Sequence, residues 1–544
     1  MSKKIIVIGG VAGGMSFATR YRRLRMDDHI IVFEKGPYVS FANCGLPYFM
    51  SGEIPSRSRL LVVKESDLVA RFRLDIRSNT EVIAIDPDQK EITFIKDGVE
   101  GKETYDELVL SPGAKAIVPT IPGLATIPHF ELRNIPHLDK VMTYLKEQQP
   151  QSVVIVGGGY IGLEVAENLK KKGLHVSVVE KAPYVMSVLD PEMAAFATET
   201  LQKNGVQLFT NDEITRIEGK TIQLALGKTL TTDFLILSVG VTPESTLAAQ
   251  AGVKTGLRGG ILVDDHYQTS IPHIYAVGDA IVVKHQISGM DSLVPLASPA
   301  NRQGRQLADH LGGIKTFNQG SIGTAIVRLF DQSFAVTGLN ERQLKGTDYA
   351  VLHVHGYDHV SYFPGATTID LKVLYHPQTG KILGAQAVGE KGVDKRIDVI
   401  ATAIKGGITV DGLQELELTY APPFGSAKDI VNMAGYIAQN TMAGITRPIA
   451  WHEVDAWKAK GAIFLDTRTF MERMAYGNIE GDVHIELDTL FEQHISLPKE
   501  KPIITYCDYG SKGYNAEQIL RHFGYDVYQL DGGYNIYTKG KGTN

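Results

Sequence analysis

Two cysteines, Cys44 and Cys507, are the only thiols in 544 residues, and each opens a segment suited to an activated sulfur anion. Cys44 lies in SFANCGLPY, ten residues after Glu34, where the chain is expected to re-enter a helix whose N-terminus would lower the thiol pKa. The commonest fate of a free cysteine is a buried structural thiol, so the position alone leaves both readings open. Cys507 follows the apolar strand PIITY and begins CDYGSKG, a glycine-bearing turn into a helix where several N–H groups can converge on one sulfur. Such a nest would hold a thiolate or persulfide. No second cysteine stands near Cys44 to close an internal CxxxxC disulfide, so its redox partner has to be external.

The elements that must position these thiols are announced by an internal duplication. KKIIVIGGVAGG followed by HIIVFEK recurs as QSVVIVGGGYIG followed by HVSVVEK, the order and length of two βαβ nucleotide-binding units. In the first, Gly9, Gly10, Ala12, Gly13 and Gly14 should cradle a pyrophosphate, with Glu34 taking a ribose hydroxyl. Val11 stands where the middle glycine is expected, and in isolation such a loop also reads as a tight packing turn. A second motif, IYAVGDA, places Gly278 and Asp279 after an apolar strand, where a carboxylate can accept a ribityl hydroxyl; together the two point to FAD. The second unit carries Gly157, Gly159 and Gly162 in the full G-x-G-x-x-G pattern, and Glu180 at the end of the next strand would repel a 2′-phosphate. NADH is therefore expected, with NADPH possible because Lys181 follows.

Composition agrees with small-molecule chemistry. The chain is long enough for two to four domains, and 55 basic against 61 acidic residues leave no nucleic-acid footprint and no polybasic membrane anchor. The start, MSKKIIVIGG, enters a strand at once, no run approaches a membrane span, and two unpaired cysteines suit a reducing, cytoplasmic setting. No metal-ligand spacing is apparent.

SFANCGLPY, GGVAGG, LVLSPGA, IYAVGD, VPLASPANRQGR, HVSYFPGA and YAPPFGSAKD together resemble the coenzyme A-disulfide reductases among the single-cysteine pyridine nucleotide-disulfide oxidoreductases, over about Lys3 to Ala443. The resemblance implies an α/β chain with a Rossmann-like FAD domain (1–113 and 241–320), a Rossmann-like NAD domain (114–240) and an α+β dimerisation domain (321–443). It implies further cofactor contacts at Lys35, at Ser111, Pro112 and Gly113, and at Pro295, Leu296 and Ala297. It also implies a homodimer in which Cys44 forms a mixed disulfide with coenzyme A or a persulfide, with Tyr362 and Tyr420 arriving from the other subunit. Read without the family, Tyr420 is a turn aromatic beside prolines. Coenzyme A would be held by Ser16, Arg20, Arg23, Ser40, Asn43 and Lys428. Arg20, Arg22, Arg23 and Arg25 also suit a phosphate-attracting cluster, or an ordinary solvated basic helix.

Residues 450–544 resemble a single α/β rhodanese domain through LDTR, YCDYGSKGYNA and LDGGY, with Lys512 where that family usually has arginine. A linker of about ten residues, 440–450, is expected to have limited reach, so that a mobile carrier would ferry sulfur between Cys507 and Cys44. The function implied is nicotinamide-driven reduction of coenzyme A disulfide or low-molecular-weight persulfides. An NADH oxidase or peroxidase cycling a cysteine sulfenic acid, and a flavin redox sensor, are the alternatives.

Overall fold

The computed structural model describes residues 2–542, which form two units, 2–181 with 212–323 and 182–211 with 324–542. Among the described residues no helix is long and apolar enough to cross a membrane.

In the first unit, strands that read as unbroken β-branched runs are buried on both faces and pair in parallel, as such runs should. One sheet has the order Ile274–Ala276, Glu107–Leu110, Lys4–Ile8, His29–Phe33, Asp75–Arg77. Ile5, Ile6, Val7, Ile30, Ile31 and Val32 are wholly buried within it. A second parallel sheet aligns His175–Glu180, Ser152–Val156, Phe234–Leu237 and His129–Phe130. In each sheet the central strand runs into a glycine loop and then a helix, Ala12–Leu24 or Tyr160–Lys171. The duplication seen in the sequence is thus a duplication of βαβ units.

The second unit holds an antiparallel sheet in the order Ala325–Leu329, Gln332–Gly338, Ile382–Gly389, Thr368–Tyr375, Ala350–Tyr357. Helices Val393–Gly406 and Ile430–Met442 share its apolar core. A parallel sheet follows in the order Pro448–Ile449, Val527–Leu530, Ile503–Tyr506, Ile463–Asp466, Val483–His484.

The expected linker at 440–450 is not a loose tether. The Arg447 N–H donates to Glu517 at 2.9 Å, the Gln518 side-chain amide to the Ile445 carbonyl at 3.0 Å, and Arg521 to the Gly444 carbonyl at 3.0 Å. Pro448 and Ile449 are already a strand of the parallel sheet. The proline that reads as punctuation sits at a strand's first residue, where it removes no ladder bond that an interior residue would need.

The two sheets of this unit are also joined through buried charge. His353 Nδ1 lies 2.6 Å from Asp531, its Nε2 lies 3.3 Å from Glu192, and its N–H donates to Asp531 at 3.1 Å. Lys372, fully buried, pairs with Asp190 at 2.9 Å and with Glu192 and Glu341. The three carboxylates come close enough together to hold a cation, and the Lys372 ammonium is that cation.

Candidate active site

The two glycine loops are built alike. Gly9 and Gly157 take φ of +99° and +108°, a conformation L side chains rarely adopt. A Cβ on Gly14 would lie 1.9 Å from the Gly9 carbonyl oxygen, and one on Gly162 would lie 2.1 Å from that of Gly157. The helix start can press onto the turn only without a side chain there. Glu34 accepts from the Gly10 N–H at 2.9 Å and from Gly36 at 2.8 Å, while Glu180 accepts from Gly158 at 2.6 Å. Each acid is thereby aimed at its own loop. Burial pushes the Glu34 carboxyl pKa up against the pull of those two N–H groups.

The loops differ at the middle position. A Cβ on Gly159 would meet nothing within 4 Å, which leaves open space for a pyrophosphate at the helix N-terminus. Val11 fills the equivalent place in the first loop and forms the helix N-cap. Ser111, Pro112 and Gly113 follow strand Glu107–Leu110, and the Ser111 N–H is held by the Ile8 carbonyl at 2.8 Å. Pro295, Leu296 and Ala297 open helix Ala297–Leu311, and Lys35 is exposed. Gly278 is fixed by its N–H donating to Gln303 at 2.7 Å. The next residue, Asp279, is half-buried with its pKa raised by burial, and the Arg133 guanidinium 3.7 Å away opposes the rise. The donor and acceptor set fits a dinucleotide at each loop.

Cys44 is exposed on a 3-10 turn, Asn43–Gly45, ahead of helix Leu46–Ser51. That helix has six residues, too short for much of a dipole, and the expected lowering of the thiol pKa is not what the chain's own groups produce. Desolvation by the surrounding walls, then Glu164 and Asp279, push the pKa up, and Arg133 pulls against them. Sequence reasoning missed Arg133 and Glu164. Arg133 donates to the Ala114 carbonyl at 3.1 Å, and its own carbonyl accepts from the Asn43 amide at 3.2 Å. Glu164 accepts from the Tyr48 hydroxyl at 3.0 Å. Glu164 could have been found as the acid two residues past the last loop glycine; Arg133 lies in no motif.

The residues expected to hold coenzyme A divide. Ser16 donates to Asn301 at 2.5 Å and Arg20 to Asp309 at 2.6 Å, both on helix Ala297–Leu311. Arg23 lies over the Phe72 ring at 4.8 Å. The phosphate-attracting cluster of four arginines is corrected by the structure: Arg22 is buried and spends its donors on the carbonyls of Phe72, Arg25, Met26, Asp28 and Arg73, and Arg25 donates to the Gly312 carbonyl at 3.1 Å. Ser40, at φ +51°, donates its N–H to the Gly10 carbonyl at 2.9 Å, so this turn touches the first glycine loop. Lys428 is exposed.

In the second unit Tyr362 and Tyr420 come together, their hydroxyls 3.1 Å apart and their rings 71% and 46% exposed. That bond raises the Tyr362 pKa. Two loops carry the pair, and buried Arg396 organises both: it forks onto Asp429 at 2.7 and 3.2 Å and donates to the Asp358 carbonyl at 2.8 Å. The Val360 N–H donating to the Gly425 carbonyl at 3.1 Å ties one loop to the other. Both hydroxyls are thus exposed on a mount fixed by a buried ion pair.

Cys507 is buried at the end of strand Ile503–Tyr506, and the Gly510 N–H donates to its sulfur at 3.1 Å. Gly510 caps helix Ser511–His522, so the sulfur also feels that helix's N-terminus. Tyr509 of the same loop stacks on His355 with ring centroids 3.6 Å apart, and His355 in turn pairs with Asp370 at 3.0 Å. The antiparallel sheet thus supplies one wall of this loop.

The geometry agrees with what known proteins show. Residues 3–304 match the family model for pyridine nucleotide-disulphide oxidoreductases, 324–430 the dimerisation domain of that family, and 450–539 the rhodanese-like domain. The chain is 36% identical over 439 residues to a coenzyme A disulfide reductase of Staphylococcus aureus, covering 80% of this chain and 100% of that one. Reduced CoADR-RHD of Bacillus anthracis is 45% identical and superposes with a TM-score of 0.98 over 99% of this chain and 98% of its own. The NAD-dependent persulfide reductase of A. fulgidus is 33% identical, with a TM-score of 0.93 over 98% and 100%.

Proposed function

The chain belongs to the pyridine nucleotide-disulphide oxidoreductase family, and on that premise we propose that it reduces coenzyme A disulfide or low-molecular-weight persulfides at Cys44, with sulfane sulfur delivered by its rhodanese-like domain. The overall changes balance as RSSR′ + NADH + H⁺ → RSH + R′SH + NAD⁺, or RSSH + NADH + H⁺ → RSH + H₂S + NAD⁺. The observation that carries the reading is the placement of Cys44, the one thiol of its unit, beside Arg133, Asp279 and Glu164 and next to the first glycine loop.

We assign FAD to 1–113 with 241–320, NAD(H) to 114–240, dimerisation to 321–443 and sulfur carriage to 450–544. Gly9, Gly13, Gly14, Glu34 and Asp279 would hold FAD; Gly157, Gly159, Gly162 and Glu180 would hold the nicotinamide dinucleotide. FAD, when bound, supplies the two-electron exchange between nicotinamide and sulfur. Cys44 attacks the incoming disulfide or persulfide, keeps the organic half as a mixed disulfide and releases the other half, as a thiol from a disulfide or as hydrogen sulfide from a persulfide. Desolvation, then Glu164 and Asp279, keep the resting thiol protonated, while Arg133 favours the thiolate. The partner subunit's Tyr362 and the partner subunit's Tyr420 protonate or stabilise the departing thiolate. Their exposure and mutual hydrogen bond support that role. Ser40, Asn43 and Lys428 would meet the coenzyme A moiety, as the family resemblance implies. Ser16, Arg20 and Arg23 can join them only by giving up their present contacts.

Cys44→Ser tests the assignment. The variant should lose NADH-dependent reduction of coenzyme A disulfide and of coenzyme A persulfide, while NADH still bleaches the bound flavin. Full turnover by the variant would overturn the role of Cys44. Oxygen consumption exceeding disulfide reduction in the parent protein would turn the reading towards an oxidase.

A further inference from the structure

Arg133 stands beside the Cys44 turn with most of its hydrogen-bonding capacity unspent. Its guanidinium donates to the Ala114 carbonyl at 3.1 Å, and among the described residues that carbonyl is the one acceptor within ordinary hydrogen-bond range. Asp279 lies 3.7 Å away, near enough for Coulomb attraction but beyond a normal hydrogen bond. Other enclosed guanidinium groups of the chain are used up, Arg22 on backbone carbonyls and Arg396 on Asp429, Gly392 and Asp358. The Arg133 side chain is only 21% exposed, so its remaining N–H groups are largely withdrawn from bulk water without being satisfied by the chain. A cation in that state is suited to hold an anion. Its backbone is fixed independently of the guanidinium: the Asn43 amide donates to the Arg133 carbonyl at 3.2 Å, and the next residue, Asn134, caps helix Ile135–Gln148.

The state of the thiol bears on which anion that is. Burial, then Glu164 and Asp279, push the Cys44 pKa up, so the resting sulfur carries its proton. Against a neutral disulfide this slows attack, because the thiolate is the nucleophile. Against a persulfide it is the matching state. A persulfide is a stronger acid than its parent thiol and arrives as the perthiolate, RSS⁻. Meeting a Cys44 thiolate between two carboxylates, it would add one more like charge; meeting the thiol, it can take the proton itself.

We propose that the Arg133 guanidinium is the anion site that holds the outer sulfur of a perthiolate while Cys44 attacks the inner one. The proposal deepens the proposed function and rests on it for the role of Cys44. The step is Cys44–SH + RSS⁻ → Cys44–S–SR + HS⁻. The Cys44 proton passes to the outer sulfur, a bond forms between Cys44 and the inner sulfur, and the substrate S–S bond breaks with its electron pair leaving on HS⁻. Two electrons from NADH close the cycle, Cys44–S–SR + NADH → Cys44–SH + RS⁻ + NAD⁺, which restores the thiol proton. The negative charge sits on the outer sulfur at the start and at the end of the first step, so one cation serves it throughout. Glu164 and Asp279 would repel an anion that found no counter-ion there. A disulfide brings no charge on its sulfurs and needs Arg133 only in so far as Arg133 helps Cys44 to ionise.

The test uses the full-length, FAD-loaded protein and two substrates that leave the same half on Cys44, coenzyme A persulfide and coenzyme A disulfide. Iodoacetamide labelling of the NADH-reduced protein, read on the Cys44 peptide, reports the thiolate independently of turnover. In Arg133→Gln, kcat/KM for the disulfide should fall in step with the labelling rate. For the persulfide it should fall at least about tenfold further, the order expected when one unit charge is withdrawn from beside another in a partly enclosed site. Arg133→Lys keeps the charge and should recover most of the persulfide loss, with bound flavin per chain unchanged in both variants. An equal fall for the two substrates, or no recovery in Arg133→Lys, overturns the anion site and leaves the role of Cys44 intact. Loss of flavin from both variants overturns it as well, by showing that Arg133 acts on Asp279 instead. Full turnover in Cys44→Ser would remove the underlying reading, and the anion site with it.

Discussion

His353→Gln should uncouple the stability of the second unit from pH. Burial alone would push the imidazole pKa down, yet Asp531 and Glu192 outweigh it and carry His353 from the ordinary 6.5 up to about 9. At 1.36 kcal/mol per pH unit the difference is worth about 3 kcal/mol. The group is wholly enclosed, so solvent screening removes little of it. Because the folded-state pKa is the higher one, this stability is fully present below pH 6.5 and is lost as pH rises to about 9. Glutamine keeps one hydrogen bond but no charge, leaving Asp531 and Glu192 without the cation between them; Lys372 still faces Glu192. The assay is amide hydrogen exchange of peptides covering strands Ala350–Tyr357 and Val527–Leu530, corrected for intrinsic exchange at each pH, since a chain of several domains does not give a single unfolding free energy. The parent should lose about 3 kcal/mol of local opening free energy between pH 6.5 and 9. The variant should start lower by that amount and stay flat. Parallel profiles for the two proteins would refute the placement of the charge on His353.

Two further outcomes follow from the site. Tyr420→Phe removes one hydroxyl of the exposed pair, and disulfide turnover should fall between about tenfold and a hundredfold in kcat with flavin reduction by NADH unchanged; a normal kcat would take the tyrosines out of the chemistry. NADH should have the higher kcat/KM in the parent, because Glu180 is aimed at its loop and Lys181 is drawn off by Glu213 at 2.7 Å. Glu213→Gln should release Lys181 and lower the KM for NADPH severalfold, with little effect on NADH, and an unchanged KM would show that Lys181 does not reach the 2′ position.

What could be read from the sequence was what local chemistry determines. Glycine loops must lack side chains where helix meets turn, and buried parallel strands must be apolar on both faces, so both units of the duplication were legible at Gly9 and Gly157 and in IIVI and VVIV. What escaped depends on partners far apart in the chain. Arg133 meets Asp279 and the environment of Cys44 from 89 residues away (133 − 44), and nothing in FELRNIPH marks it. Arg396 joins Asp358 and Asp429 into one mount for the tyrosines, yet reads as a basic residue on an amphipathic helix. The four-arginine cluster failed for the converse reason: helical spacing gives the face a residue occupies, but not which arginines turn inward to satisfy carbonyls, as Arg22 does. The thiol of Cys44 was misjudged because a helix start was weighed without its length and without the carboxylates that the fold brings near it.

The anchoring of residues 440–450 changes how sulfur could travel. A flexible tether would let the rhodanese-like domain swing its cysteine to a donor or acceptor. Here Thr446 and Arg447 are bound to Glu517 of the domain's own helix, while Asp531 is bound to His353 and Asn535 donates to Asp370 at 3.2 Å, which holds the domain's C-terminal part against the antiparallel sheet. Swinging the domain would require exposing the buried His353 to water at the cost estimated above, together with the Tyr509–His355 stack. A small molecule that takes the sulfur from Cys507 as its own persulfide needs none of this. The moving part of the proposed transfer is therefore the carrier thiol, and weakening the anchor, as in His353→Gln at pH 7, should leave the rate of sulfur delivery to Cys44 limited by carrier concentration as it is in the parent. Delivery that became independent of added thiol once the anchor was loosened would show instead that the domain itself can make the journey.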